Sequence, residues 1–511
     1  MTSPTTTEVS TERPPARLGV AAIVFLIIAA SAPLTVIAGG STSAFSVTHV
    51  LGVPFGFLVL AVALGVFAIG YSAMSRFITN AGAFYAYVAQ GIGRPAGVGA
   101  AILAFISYNA MQVGIWGMFG FQVSEFVAAK TGATIPWWIW VLVGIAAVGL
   151  MGANRIDLSV KVVAVLVAAE FLVVIVFDLV AFANPTEGFS ADPITPSALF
   201  VPGVGAVLAF GVAAFMGFES GAIYSEEARD ARRTVPRATF LAVAVIGLFY
   251  AVSSWALALA VGPDTITSPD GIAPEDAGPP LFFNFVAQHL GEIGVDLMSV
   301  LFITSLLAAL ISFHNAVARY AFSLGREGVL PKQLAVLRNG GAPWAGSLLQ
   351  TIIAAVIVLG FVLVEPAWDV DQGPYPVITL FTWLTNLGAF GLVLLMAVAS
   401  VAVIGYFRRD PRDVGVGSRV VAPVIGCIAL LVIWVLILLN WDVLLGQPAG
   451  APVTWVLPAI VLVPSLLAVG WGFWMRTARP DVYRRIGHGA EGPSAHHLGE
   501  VAEGETTTLS L

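Results

Sequence analysis

The chain is poor in charge. Of its 511 residues, 10% are Asp, Glu, Lys or Arg, against 58% that are hydrophobic. That excludes an ordinary water-soluble domain, because no fold hides so much apolar surface. Cysteine is nearly absent: Cys427 stands alone in an apolar run, so no intramolecular disulfide forms and packing is its expected role. The six histidines are scattered, with His496 and His497 near the C-terminal end, and no spacing suits a metal centre. Glycine pairs such as those in GGSTSAF lack the strand–turn–helix setting of a phosphate loop. No nucleophile–base constellation stands out. The expected cofactor and metal content is therefore none, with no nucleic-acid partner. The opening MTSPTTTEVSTERPPAR lacks the basic n-region and small-residue cleavage site of a signal peptide.

What is present is a series of apolar runs, with a mean hydropathy of +0.92. Each is long enough for a bilayer crossing of ~20 residues. Twelve spans are expected near 19–47, 52–74, 95–127, 136–152, 159–183, 199–225, 237–261, 293–324, 344–364, 376–406, 419–440 and 453–475. They form one membrane domain over 18–475, between polar, disordered tails at 1–17 and 476–511. Arginines gather on one side of that count: Arg13 and Arg17, Arg76 and Arg94, Arg155, Arg229 to Arg237, Arg326 to Arg338, Arg408 to Arg419, and Arg476 to Arg485. The opposite loops carry Lys130 among acids such as Asp264, Asp270, Glu275, Asp276, Asp369, Asp371 and Asp442. Under the positive-inside rule, both termini are expected in the cytoplasm of a multi-pass plasma-membrane protein. Within the 263–292 loop, PPLFFNFVAQHLG reads either as a short external helix over the entrance or as a surface loop.

Two spans are interrupted at mid-depth. The first reads GVAAIVFLIIAASAPLTVIAGG, with Ser31, Ala32, Pro33 and Thr35 in its middle. The sixth, VLAFGVAAFMGFESGAIYSEEARDARRTVPRA, breaks at Gly217, Glu219 and Gly221. Each opens a block of five spans, about 18–183 and 199–406, which leaves 419–475 peripheral. Matched breaks in two halves point to an inverted-repeat transporter with its site at the midplane. Half-helix N-termini favour a carboxylate, while freed carbonyls and C-termini favour an ammonium. Such a site suits an amino acid or an amine.

Three stretches resemble the amino acid–polyamine–organocation superfamily. FMGFESGAIYSEEARDARRTVPRA (215–238) is similar to its sixth span, SFHNAVARYAFSLGREGVLPKQL (312–334) to the end of its eighth, and FITNAGAFYAYVAQGIGRPAG (77–97) to the entry of its third. The resemblance implies an all-α integral membrane fold: a leucine-transporter-like five-plus-five inverted repeat with discontinuous helices 1 and 6. Two departures matter. Many members carry a Gly-Ser-Gly-like cluster at the first break, where this chain has Ala30-Ser31-Ala32-Pro33. Pro33 lacks an N–H, and the hydroxyls of Ser31 and Thr35 are its available substitutes. Members also often carry a lysine in the fifth span; nine residues on from Lys161, that position is Glu170.

The expected substrate contacts are Ser31, Ala32, Pro33, Thr35, Phe215, Gly217, Phe218, Glu219 and Asn109. Duller roles stand beside them: Glu219 as a helix cap, the phenylalanines as core or lipid-facing side chains, Asn109 as interhelical glue. Glu170 is expected to take up the coupling proton, or else to serve as a structural acid. Glu226, Glu227 and Arg319 are expected at a cytoplasmic gate, or on a solvated face. The function expected is uptake of an amino acid or related amine with a proton. The alternatives are a substrate–product exchanger and, further off, a channel or a membrane enzyme or sensor.

Overall fold

The computed structural model describes residues 19–78, 83–154, 160–219, 230–338, 342–368 and 372–487. Among these residues the regular structure is helical, apart from an isolated bridge pairing Arg338 with Ala342. The first half holds α1 (Val20–Ser31), a π-helical turn at Thr35–Ser41, α2 (Thr42–Thr48), α3 (Val53–Ser75), α4 (Ala83–Gly91), α5 (Arg94–Thr131), α6 (Trp137–Ala153) and α7 (Val160–Ala183). The second holds the short α8 (Pro196–Leu199), α9 (Val204–Phe215), α10 (Ala231–Val261), the short α11 (Pro263–Thr267), α12 (Pro280–Glu327), α13 (Trp344–Val364), a π-helical turn at Pro376–Phe381 and α14 (Thr382–Arg409). α15 (Ala422–Leu439), the short α16 (Trp441–Leu445) and α17 (Pro452–Ala478) follow.

Nine helical stretches among the described residues are long and apolar enough to cross a bilayer. α6, α9 and α1, at 17, 12 and 12 residues, are apolar but shorter. The outward faces present Leu363, Leu439, Leu466 and Leu467 with 82%, 70%, 70% and 69% of their area exposed. Lipid is the solvent for such a surface, and the chain is a multi-pass membrane protein. The stretch beginning at Pro280 is helical. It turns into the membrane segment at Gly291, whose φ of 67° and ψ of −173° interrupt α12. Lys130, at the end of α5, pairs with Asp296 of α12 at 2.6 Å. Both side chains are 41% exposed, so the pair contributes at most ~1 kcal/mol.

α5 and α14 are the central helices. The best apolar window of α5 is 83% buried, against 22% for α13. Between helices in lipid there is little hydrophobic drive, so close packing through small residues holds them together. Gly114 of α5 is an example: a Cβ there would lie 2.7 Å from the Thr385 backbone nitrogen on α14. Gly388 returns the contact, its notional Cβ 2.7 Å from the Ser107 carbonyl.

Gly114→Val should therefore destabilise the protein by about 1–3 kcal/mol through overpacking. Gly360→Ala on α13, where a Cβ meets nothing within 4 Å, should leave it unchanged or slightly firmer. Thermal unfolding in detergent checks the pair.

Candidate functional site

The first interruption falls at one residue. α1 ends at Ser31, and Ala32 takes a left-handed conformation with φ 47°. That is uncommon for a residue with a Cβ. Pro33 then opens the next helical turn, where its missing N–H costs no intrahelical bond. The break frees backbone groups, and neighbouring helices take them up. The Leu34 N–H donates to Glu170 Oε2 of α7 at 3.3 Å. The Ser31 carbonyl accepts a hydrogen bond from the Tyr250 hydroxyl of α10 at 3.1 Å. Glu170 also accepts from Ser305 Oγ of α12 at 2.8 Å, and Thr35 Oγ1 donates to Ser305 Oγ at 3.1 Å. A buried chain thus runs from Thr35 through Ser305 to Glu170.

The second interruption uses the same devices. α9 ends at Phe215, Met216 is extended, and Gly217 has φ 106°. Glycine is required there on two grounds: the left-handed backbone, and a notional Cβ only 2.8 Å from the Ala30 Cβ. The two breaks therefore touch. The Gly217 N–H donates to Glu219 Oε2 at 2.9 Å. The Tyr108 hydroxyl of α5 donates to Glu219 Oε1 at 2.6 Å, and that of Tyr71 on α3 donates to the Glu219 carbonyl at 3.4 Å. At each break a buried carboxylate accepts a freed amide hydrogen and a tyrosine donates to a nearby carbonyl. Glu170 and Glu219 are 3% and 7% exposed.

Beside the breaks lies a small cavity of about 50 Å³. Ser31, Ala32 and Thr35 form one wall, and Phe210, Ala213 and Met216 face them from the α9 side. Met111 and Ile115 of α5, Phe313 of α12, and Phe381 and Thr385 at the start of the α14 stretch close the remainder. The half-helices end at Ser31 and Phe215, so the partial negative charge of two helix C-termini lies beside this region. The helix that restarts at Pro33 opposes them with its positive end.

The expected site residues divide between lining and framework. Ser31, Ala32 and Thr35 line the cavity. Pro33 forms the restart, while Gly217 and Glu219 form the second break. Phe215 packs toward the core, its ring centroid 6.3 Å from Phe57 and 6.2 Å from Tyr250. Phe218 meets Phe67 edge-on at 6.2 Å. Asn109 Nδ2 donates to the Phe105 carbonyl of its own helix at 2.8 Å. Glu170 stands behind the first break, one hydroxyl away from Thr35. Arg319 lies exposed on α12, and Glu226 and Glu227 lie outside the described residues. Sequence reasoning passed over Tyr250, Tyr71 and Ser305. A hydroxyl at mid-depth in each apolar span was their one signal, and nothing local says which carbonyl or carboxylate it meets.

Tyr108→Phe removes a donor from a buried carboxylate and should cost about 2 kcal/mol. Tyr250→Phe, which leaves a carbonyl unsatisfied, should cost about 1 kcal/mol. Unfolding of the purified variants measures both.

Comparison with known proteins gives a family. The profile of a family described as "Amino acid permease" matches residues 18–468. The chain is 26% identical over 291 residues to the low-affinity putrescine importer PlaP of Escherichia coli K12, covering 55% of this chain and 60% of PlaP. It is 23% identical over 295 residues to an L-lysine transport protein of Corynebacterium glutamicum, covering 56% of each. With the branched-chain amino acid permease BcaP of Lactococcus lactis it shares 24% identity over 391 residues, 71% of this chain and 76% of BcaP. The match spans less than two thirds of the first two relatives' own length.

Proposed function

The chain belongs to the amino acid permease family, and from that premise we propose that it takes up an amino acid or a related amine across the plasma membrane by proton symport. The family and the relatives are permeases, not enzymes. The observation that carries the reading is the pair of abutting, stitched helix breaks beside one cavity. Two helix C-termini offer a place for an ammonium, and one restarting helix offers a place for a carboxylate.

We assign twelve membrane helices in two inverted blocks. α1–α2, α3, α5, α6 and α7 make the first, and α9, α10, α12, α13 and α14 the second, with α15 and α17 peripheral. Both termini are cytoplasmic, in keeping with the arginine distribution. Substrate binds between the breaks, and the helices that carry them rock against α5 and α14 in alternating access. Glu226, Glu227 and Arg319 belong to the cytoplasmic gate on this reading.

Glu170 carries the proton, and the Thr35–Ser305–Glu170 chain is how its state reaches the substrate. With Glu170 ionised, Ser305 donates to it and Thr35 donates to Ser305, so Thr35 shows the cavity only lone pairs. Protonated Glu170 donates to Ser305 instead, the chain reverses, and the Thr35 hydroxyl hydrogen turns to the cavity as a donor for a carboxylate. Proton and substrate carboxylate then favour each other's binding, which is the reciprocity symport needs. The groups facing Glu170 from the packed helices are Ser305 of α12, Tyr250 of α10 and the Leu34 amide.

Glu170→Gln, which keeps the shape and loses the titration, should abolish accumulation driven by a pH gradient in proteoliposomes while counterflow exchange persists. Full gradient-driven accumulation by the variant would remove Glu170 from the coupling step. Wild-type counterflow with no response to a pH gradient would favour an exchanger.

A further inference from the structure

Resting on the transport reading above, we infer that the site takes a zwitterionic amino acid with an uncharged, apolar side chain and rejects substrates with a second cationic group. Apart from the Thr385 hydroxyl, which is spent on the Phe381 carbonyl, the cavity's polar features lie at the broken-helix end. Beyond them the wall is Met111, Ile115, Phe210, Phe313 and Phe381, with no Asp, Glu, Lys, Arg or His among the described lining residues. The helix-end carbonyls serve one ammonium, the one on the α-carbon. A second ammonium, as in lysine or a diamine, would be pressed against thioether, aliphatic and aromatic groups. It would lose its water and find no partner, which is costly for a charge.

The nearest carboxylates do not change this. Glu219 accepts from the Gly217 amide on one oxygen and from the Tyr108 hydroxyl on the other. Tyr108 packs at a tilt against the wall residue Phe313, ring centroids 6.2 Å apart, so Phe313 stands between this hydroxyl–carboxylate pair's helix and the cavity. Glu170 lies behind Thr35 and Ser305. The hydroxyls of Ser31 and Thr385 each donate to a carbonyl of their own helix, those of Ile27 and Phe381, so they do not hold out a hydrogen to a polar side chain. The apolar wall itself rewards burial of an aliphatic, thioether or aromatic side chain.

The test is competition in proteoliposomes bearing the full chain. Uptake of labelled L-leucine, L-methionine and L-phenylalanine is measured, then challenged with unlabelled L-lysine and putrescine. At least one of the three neutral substrates should be transported, with lysine and putrescine competing at least ~100-fold more weakly. Lysine or putrescine transported as well as, or better than, the neutral three would overturn the apolar assignment and leave the transport reading intact. No transport of any of the five would overturn the transport reading, and the assignment with it. Met111→Glu places a carboxylate in the wall and should narrow the discrimination against lysine by tenfold or more. Met111→Gln, of the same shape without the charge, should not. Equal behaviour of the two variants would also count against the inference, and the wild-type competition decides it if either fails to fold.

Discussion

A backbone amide freed in hydrocarbon must find a partner, and everything distinctive here follows from that constraint. Breaking α1 at Ala32 and α9 at Phe215 leaves N–H and C=O groups with no water to meet them. The protein answers with side chains from other helices and, at the second break, with Glu219 of the break itself. Glu170 and Tyr250 serve the first break, Glu219, Tyr108 and Tyr71 the second. These partners sit on α7, α10, α5 and α3, so each break is tied to helices elsewhere in the chain. The same residues that satisfy the backbone thereby fix the walls of the cavity.

The arrangement also separates what is firm from what can move. α5 and α14 meet backbone to backbone through Gly114 and Gly388, and their apolar windows are the most buried in the molecule among the described residues. The breaks are held more lightly, by single hydrogen bonds of 2.6 to 3.4 Å to side chains that have rotamers to choose from. A firm pair with lightly tied breaks beside it is the arrangement that the proposed rocking requires. The π-helical turns at Thr35–Ser41 and Pro376–Phe381 both contribute to the cavity wall, where irregular backbone is tolerated because protein rather than lipid surrounds it.

Much of this was legible in the residues, for reasons that differ by element. α13 spans Trp344–Val364, as its apolar run between Pro343 and Glu365 dictates. The break in the first span was legible because Pro33 cannot continue a helix, although it falls at Ala32 and the glycines at 39 and 40 sit within the π-helical turn. The break in the sixth was legible from Gly217 and Glu219 together. Side-chain direction past a break was not legible. α9 turns Phe215 into the core and Ala213 to the cavity, and the left-handed Gly217 then resets the helical phase, so the inward direction of Phe218 does not follow from the spacing before it. Nor could spacing reveal that Tyr250 meets Ser31 across 219 residues of chain, since that contact depends on tertiary packing alone.

The central claim is that the cavity between the two breaks is where substrate sits. Ala213 lines it from α9, and Cys427 is the chain's only cysteine. In a Cys427→Ala background, Ala213→Cys should react with a thiol-directed methanethiosulfonate reagent, lose uptake on reaction, and be protected by whichever amino acid the reconstituted protein transports. Modification at position 213 that proceeds at the same rate with saturating substrate present, and leaves uptake untouched, would contradict the account.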